Sequence, residues 1–190
     1  MQNNGQKGRA ILMKQTVAII GAGEPDGSIL ALMFARAGCR LLLSDRDPQR
    51  ARGVLSEIRR SNPAPDAEVL ECARISSWEA DIIVVAAPFA AREEVIEKIR
   101  EVANGKIVAA VVSSRSAADL YARALPHSRF VGLSCAGPGY TLSSEDKDAL
   151  ETVRLLMDRS GLVATGSGRS SGRKEHTLNS RSPIAKEQTL

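Results

Sequence analysis

Aromatic side chains are scarce in this 190-residue chain: three Phe, two Tyr and one Trp make up 3% of it. Recognition of nucleic acid by base stacking is therefore not expected. Cysteine is limited to Cys39, Cys72 and Cys135, an odd number with no C-x-x-C pair, and there are only two histidines. That excludes a disulfide framework and a zinc cluster, and free thiols fit a reducing compartment. No apolar run approaches the ~18 residues needed to cross a bilayer, and Met1 to Arg9 is polar, without the apolar core of a signal peptide. The expectation is a cytoplasmic protein with no membrane attachment. A charge excess is also missing from the body of the chain. The formal charge is +4, but residues 1–14 supply three positive charges and residues 165–190 a net three, which leaves about −2 on residues 15–164. No basic face, and so no nucleic-acid partner, is expected there.

What is present is the composition of one globular domain, 43% hydrophobic and 25% charged. Residues 1–14 read as a polar extension. From Thr16 to Ile20 a β-branched run ends in Gly21-Ala22-Gly23, and an apolar helical pattern carried by Ile29, Leu30, Leu32, Met33 and Phe34 follows up to Gly38. Leu41 to Leu43 is a second strand. Pro48 opens a helix with Val54, Leu55 and Ile58 inward, which Asn62-Pro63 stops. Ala67 to Leu70 is a weaker strand, and Asp81 to Pro88 is apolar on both faces, as a buried parallel strand requires. The chain then reads as helix (93–102), strand (106–112), helix (117–125), short strand (129–133) and a last helix (145–159). This alternation predicts a doubly wound parallel α/β sheet, Rossmann-like, over residues 15–164. Residues 165–190 begin Thr-Gly-Ser-Gly-Arg-Ser-Ser-Gly-Arg, the composition of a flexible basic tail.

The segment Gly21-Ala22-Gly23-Glu24-Pro25-Asp26-Gly27 stands between first strand and first helix, where such a fold holds a dinucleotide pyrophosphate on a helix N-terminus. Its spacing is G-x-G-x-x-x-G, one residue longer than the usual form, and two carboxylates lie inside it. Each would oppose phosphate by roughly 1 kcal/mol through solvent. The same glycines also serve a turn that does no more than pack helix on strand. Asp45 ends the second strand, where a carboxylate accepts hydrogen bonds from the adenosine ribose. Beside it Arg46 and Arg50, four residues apart, offer cations to a 2′-phosphate, although the same spacing suits a solvated helix start. NADP(H) is the favoured cofactor on these grounds and NAD(H) the alternative.

Several stretches together resemble the NADPH-dependent reductases of the deazaflavin coenzyme F-420 and their bacterial relatives. They are Val17-Ala18-Ile19-Ile20-Gly21, Ala35-Arg36-Ala37-Gly38, Asp45-Arg46-Asp47-Pro48, Trp78 to Pro88, Gly105-Lys106-Ile107-Val108 and Ser116-Ala117-Ala118-Asp119-Leu120. The likeness runs over roughly residues 16–133. It implies dinucleotide contacts at Gly21, Ala22, Gly23 and Gly27, adenosine-phosphate contacts at Asp45, Arg46 and Arg50, and nicotinamide-side contacts at Ala87, Pro88 and Phe89. It also implies a small-molecule acceptor of deazaflavin or flavin type and hydride transfer governed by positioning, with no catalytic acid to be found.

Two departures stand out. Val112-Ser113-Ser114-Arg115 turns directly into the next helix where the family continues into a substrate loop, and Ser134 to Tyr140 replaces an Asn-Thr segment and a further strand. A non-catalytic dinucleotide-binding or regulatory module that has lost the substrate loop is the rival reading. A single open sheet would leave hydride transfer exposed to water, so a homodimer is expected to close the site. Ser113, Ser114 and Ser116 read equally as crevice residues and helix caps. His127 reads as a surface turn residue, Cys135 as an exposed thiol without an activating charge, and Trp78 as a packing anchor.

Overall fold

The computed structural model describes residues 14–136, 139–161 and 164–168. Eight strands form one sheet in the order β3-β2-β1-β4-β5-β6-β7-β8. They are β1 (Thr16–Ile20), β2 (Arg40–Ser44), β3 (Ala67–Val69), β4 (Ile82–Val85), β5 (Ile107–Val111), β6 (Arg129–Ala136), β7 (Gly139–Ser144) and β8 (Ala164–Gly168). The first six are mutually parallel, β7 runs antiparallel to β6, and β8 runs parallel to β7. The expected doubly wound sheet is present, with the order reversing between β1 and β4.

Side chains alternate across the inner strands because the strand period is two. Val17, Ile19, Leu41, Leu43, Ile82 and Val84 face one layer of helices, α1 (Pro25–Arg36), α2 (Pro48–Ser61) and α6 (Lys147–Arg159). Ala18, Ile20, Leu42, Ile83, Val85 and Val108 face the other layer, α3 (Ala73–Glu79), α4 (Arg92–Ile99) and α5 (Arg115–Ala124). Leu30, Phe34 and Ile58 are fully buried in the first core, each worth ~1.5–3 kcal/mol of transfer free energy. The helix starts are cut by local chemistry. Asp47 caps α2 by accepting from the Gln49 N–H at 2.9 Å, with Pro48 at the first position, and Asp146 caps α6 through the Ala149 N–H at 2.9 Å.

Four sequence expectations are corrected. Helix α3 was not foreseen, because its buried residues are Ser76 and Ser77 while Ile75 and Trp78 point outward. Small serines let this helix lie close on the sheet, and Lys106 caps its end by donating to the carbonyls of Ser77 and Trp78. Trp78 is accordingly no packing anchor; it is 69% exposed. The hairpin β6–β7 replaces the single short strand, with Tyr140 and Leu142 buried and Cys135 exposed opposite Tyr140. Residues 165–168, read as tail by composition, add a strand to β7, whose backbone groups accept any sequence that can extend. The rest of the tail, and the extension 1–13, lie outside the described residues.

Candidate cofactor site

The first strand delivers the chain into Gly21, whose φ of +79° opens a turn that an L side chain would strain. The Gly21 and Ala22 N–H groups both donate to the Ser44 carbonyl, at 2.9 and 3.0 Å, so the loop is sewn to the end of β2. A Cβ on Gly27 would lie 1.9 Å from the Gly21 carbonyl oxygen, and one on Gly23 would lie 2.3 Å from Arg50 Cβ. The loop therefore presents bare backbone and the start of α1 at the strand edge, whose first-turn N–H groups have no partner within the helix. The extra residue in the glycine spacing is Pro25 at the first helical position, which brings no N–H of its own.

Asp45 has a side chain only 2% exposed. Its Oδ2 accepts from the Gly23 N–H at 2.8 Å and its Oδ1 from the Asp47 N–H at 3.0 Å. The carboxylate thus fastens the loop and the turn into α2 with the lone pairs that a ribose would otherwise use. Arg50 reaches back from α2: Nη1 donates to Glu24 Oε1 at 2.7 Å and Nη2 to the Gly23 carbonyl at 2.5 Å. Arg46 is exposed and has no hydrogen bond or ion pair among the described residues.

The two loop carboxylates do not stand free. Glu24 holds Arg50, and Asp26 accepts from the Tyr140 hydroxyl at 2.7 Å. Tyr140 was not foreseen in this role. Burial, and after it the hydrogen bond to Asp26, push its phenol well above the ordinary range, so it donates throughout the physiological span.

Across the sheet, Ala86 and Ala87 follow β4 and lie against Gly21, where an added Cβ would come within 2.9 Å of the Ala87 N–H nitrogen. Pro88 then turns the chain outward, and Phe89, in the 3₁₀ turn Phe89–Ala91, is 77% exposed. The structure thereby brings Gly21 to Gly27, Asp45, Arg46, Arg50 and the Ala87-Pro88-Phe89 segment to one edge of the sheet around the reversal between β1 and β4, where open α/β sheets bind their ligands. Ser114 caps α5 through the Ala117 N–H and bonds to Ser116 at 2.9 Å, while Ser113 and Ser114 also line a cavity of about 630 Å³ between α5 and the β6–β7 face. The cap reading holds for Ser114, and the cavity that Ser113 and Ser114 line is not the crevice at the glycine loop, since none of residues 21–27 lines it. His127 is exposed in the turn after α5. Among the described residues no helix is long and apolar enough to cross a membrane.

The three glycines let the turn pack against Ala86, Ala87, Arg50 and its own backbone, and the side-chain-free backbone they leave at the start of α1 is compatible with a dinucleotide. The chain is 48% identical over 54 residues, 28% of its own length and 19% of the other's, to a candidate daunorubicin C-13 ketoreductase, DnrU, of Streptomyces sp. (strain C5). It is 31% identical over 104 residues to the glycerol-3-phosphate dehydrogenase [NAD(P)+] of Legionella pneumophila (strain Paris), covering 48% of this chain and 30% of that one. The chain thus spans under a third of either curated relative. In solved structures a candidate F420-dependent NADP reductase from Arthrobacter sp. FB24 superposes with a TM-score of 0.63 at 17% identity, over 81% of this chain and 84% of that one. Residues 16–114, just over half of the chain, match the model of the family described as NADP oxidoreductase, coenzyme F420-dependent, and the chain belongs to that family of NAD(P)-dependent oxidoreductases.

Proposed function

We propose that this protein binds NADP(H) in preference to NAD(H) at the Gly21–Gly27 edge and exchanges hydride with a small acceptor of deazaflavin or flavin type. The observation that carries the cofactor preference is the state of the residues after β2: Asp45 is spent on the loop, whereas Arg46 is exposed, makes no hydrogen bond among the described residues and has only the exposed Glu94 as a charge neighbour. A carboxylate with both oxygens already bonded has less to offer two ribose hydroxyls, and a guanidinium with its N–H groups open to solvent suits a 2′-phosphate.

In this reading Gly21, Ala22, Gly23 and Gly27 receive the pyrophosphate, Arg46 and then Arg50 the 2′-phosphate, and Ala87, Pro88 and Phe89 the nicotinamide side. Bound there, the nicotinamide supplies or accepts the hydride. The chain's own work is to orient the ring and exclude water, to which the exposed Phe89 ring and a second copy of the protein in a homodimer contribute. The setting is cytoplasmic, in keeping with three free cysteines.

A second reading, a binding module without turnover, draws on the direct passage from β5 through Ser113 and Ser114 into α5, which leaves no substrate loop. Paired fluorescence titrations with NADPH and NADH, followed by a turnover assay with oxidised deazaflavin in the same tube, separate the two. Tighter NADPH binding with turnover supports the enzyme; binding without turnover supports the module, and tighter NADH binding overturns the stated preference.

A further inference from the structure

Helix α4 carries a charge on its buried stripe. Arg92 stands three, four and seven residues before Val95, Ile96 and Ile99, and like them it is buried, at 7% exposure. Its guanidinium makes one long hydrogen bond, Nη2 to the Val111 carbonyl at 3.4 Å, and the Phe89 ring lies over its Cζ at 5.1 Å. Nε and Nη1 are buried without a partner, and no carboxylate pairs with the group among the described residues. The Tyr121 hydroxyl, fully buried on α5, is also unpartnered, and burial pushes its phenol up to about 12 against the pull of the Arg92 charge.

An arginine cannot shed its proton to escape such burial, and an uncompensated buried ion is strongly destabilising even after relaxation. Three N–H donors on Nε and Nη1 await an acceptor. The place is informative. Val111 ends β5, the neighbour of β4, and the residues that follow β4 lie against Gly21. The guanidinium is therefore at the end of β5, two strands from β1 and its glycine loop, at the same carboxyl edge and under the residue assigned to the nicotinamide side. With the pyrophosphate over the loop, as proposed above, this position is left for another anion.

We propose that Arg92 is the anchor for an oxyanion of the hydride acceptor, a carboxylate or phosphate group, which enters when Phe89 swings off the guanidinium and which the Tyr121 hydroxyl helps to hold. Assigning the anion to the acceptor rests on the nicotinamide placement proposed above; the anion site itself does not. A charged anchor beside the ring would select acceptors that carry an acidic group within reach of the reacting carbon.

The test uses the full chain and follows the thermal midpoint in inorganic phosphate, in oxalate and in chloride at one fixed ionic strength, each with and without saturating NADPH. Phosphate or oxalate should raise the midpoint by several degrees over chloride, and the stronger of the two identifies the class of oxyanion. Arg92→Met should abolish that response and raise the midpoint in chloride, because it removes a buried charge. Tyr121→Phe, which keeps the ring stacked on Phe130, should weaken the anion by severalfold in direct titration. A midpoint indifferent to the oxyanions, or a response that survives in Arg92→Met, overturns the proposal. Should Arg92→Met fail to fold, the oxyanion series on the unmodified protein and on Tyr121→Phe decides alone. Absence of NADPH binding would defeat the cofactor reading while leaving the anion response to be judged by itself.

Discussion

The strands β1, β2, β4 and β5 are covered by helices on both faces, whereas β7 is covered on one and β6 meets α5 on its second face only through Phe130. In the first region Ile19, Val84 and Val108 are fully buried. In the second, Val131, Leu133 and Leu142 pack under α6, while Ser134 and Ser143 open on the other face to the cavity beside α5. Packing leaves little freedom in the first region, where a Cβ added at Gly21 or Gly27 would run into backbone. The second has to support one helix and otherwise presents hydroxyls to solvent, so its sequence is free to depart from the pattern of its relatives. Of the two departures noted in the sequence, Ser134 to Tyr140 falls there, and Val112 to Arg115, between β5 and α5, lines the same cavity.

The sharpest way to break this contrast is to add one methyl group to each region. Gly27→Ala has no space: the Cβ would sit 1.9 Å from a backbone oxygen that the turn cannot move. We expect a loss of about 3 kcal/mol or more, with dinucleotide binding abolished, in urea unfolding and in titration. Gly132→Ala on β6 meets the Ser143 hydroxyl at 2.8 Å, the end of a side chain that can rotate away. Its cost should stay under about 1 kcal/mol. Equal costs would remove the distinction between the regions.

The same contrast explains what could be read in advance. The strands β1, β2, β4 and β5 and helices α1 and α2 announce themselves because both partners of each contact are apolar. Helix α3 is silent because it buries Ser76 and Ser77 and exposes Trp78, which inverts the pattern on which periodicity relies. Strand β8 is silent because Thr-Gly-Ser-Gly joins the sheet through its backbone. At the site, the glycines, Asp45 and Arg50 were placed by position. The spending of Asp45 and the tethering of Arg50 were not legible, since both depend on distances between residues twenty or more apart. Arg92 had left a sign: a charge in register with Val95, Ile96 and Ile99.

Next in size is the cofactor edge. Arg46→Ala should weaken NADPH about ten- to a hundredfold while leaving NADH within about twofold, because charge-assisted bonds contribute ~1.5–3 kcal/mol. Equal loss for both nucleotides would assign Arg46 to the adenine. A smaller effect belongs to the second region. Arg129 holds Asp146 through Nε at 2.6 Å, and this hydrogen bond chiefly draws the carboxyl down to about 2. The folded value lies below the unfolded one of about 3.9. The contribution is therefore complete above about pH 4 and is lost as pH falls through about 2. Asp146→Ala should cost about 1 kcal/mol at pH 7, from the cap and a partly exposed ion pair, and this cost should vanish near pH 2. A cost unchanged at pH 2 would show that the carboxylate charge does not matter there.

The smallest effect is also the one whose sign is least obvious. Glu24 lies at the start of α1 and holds Arg50 across the loop at 2.7 Å. Replacing it by Gln removes a negative charge near the pyrophosphate, a gain of up to about 1 kcal/mol for either nucleotide, reduced by salt. It also loosens Arg50, whose guanidinium is then free to turn toward a 2′-phosphate. NADH reports the first effect alone and NADPH both, so Glu24→Gln should tighten NADH by up to about fivefold and NADPH by a few times more. Adding Arg50→Ala to Glu24→Gln should return the two gains to equality, since only NADPH draws on that arginine. Weaker NADPH binding in Glu24→Gln would mean the reverse arrangement, in which Glu24 aims Arg50 at the phosphate, and the ion pair would then be part of the binding geometry.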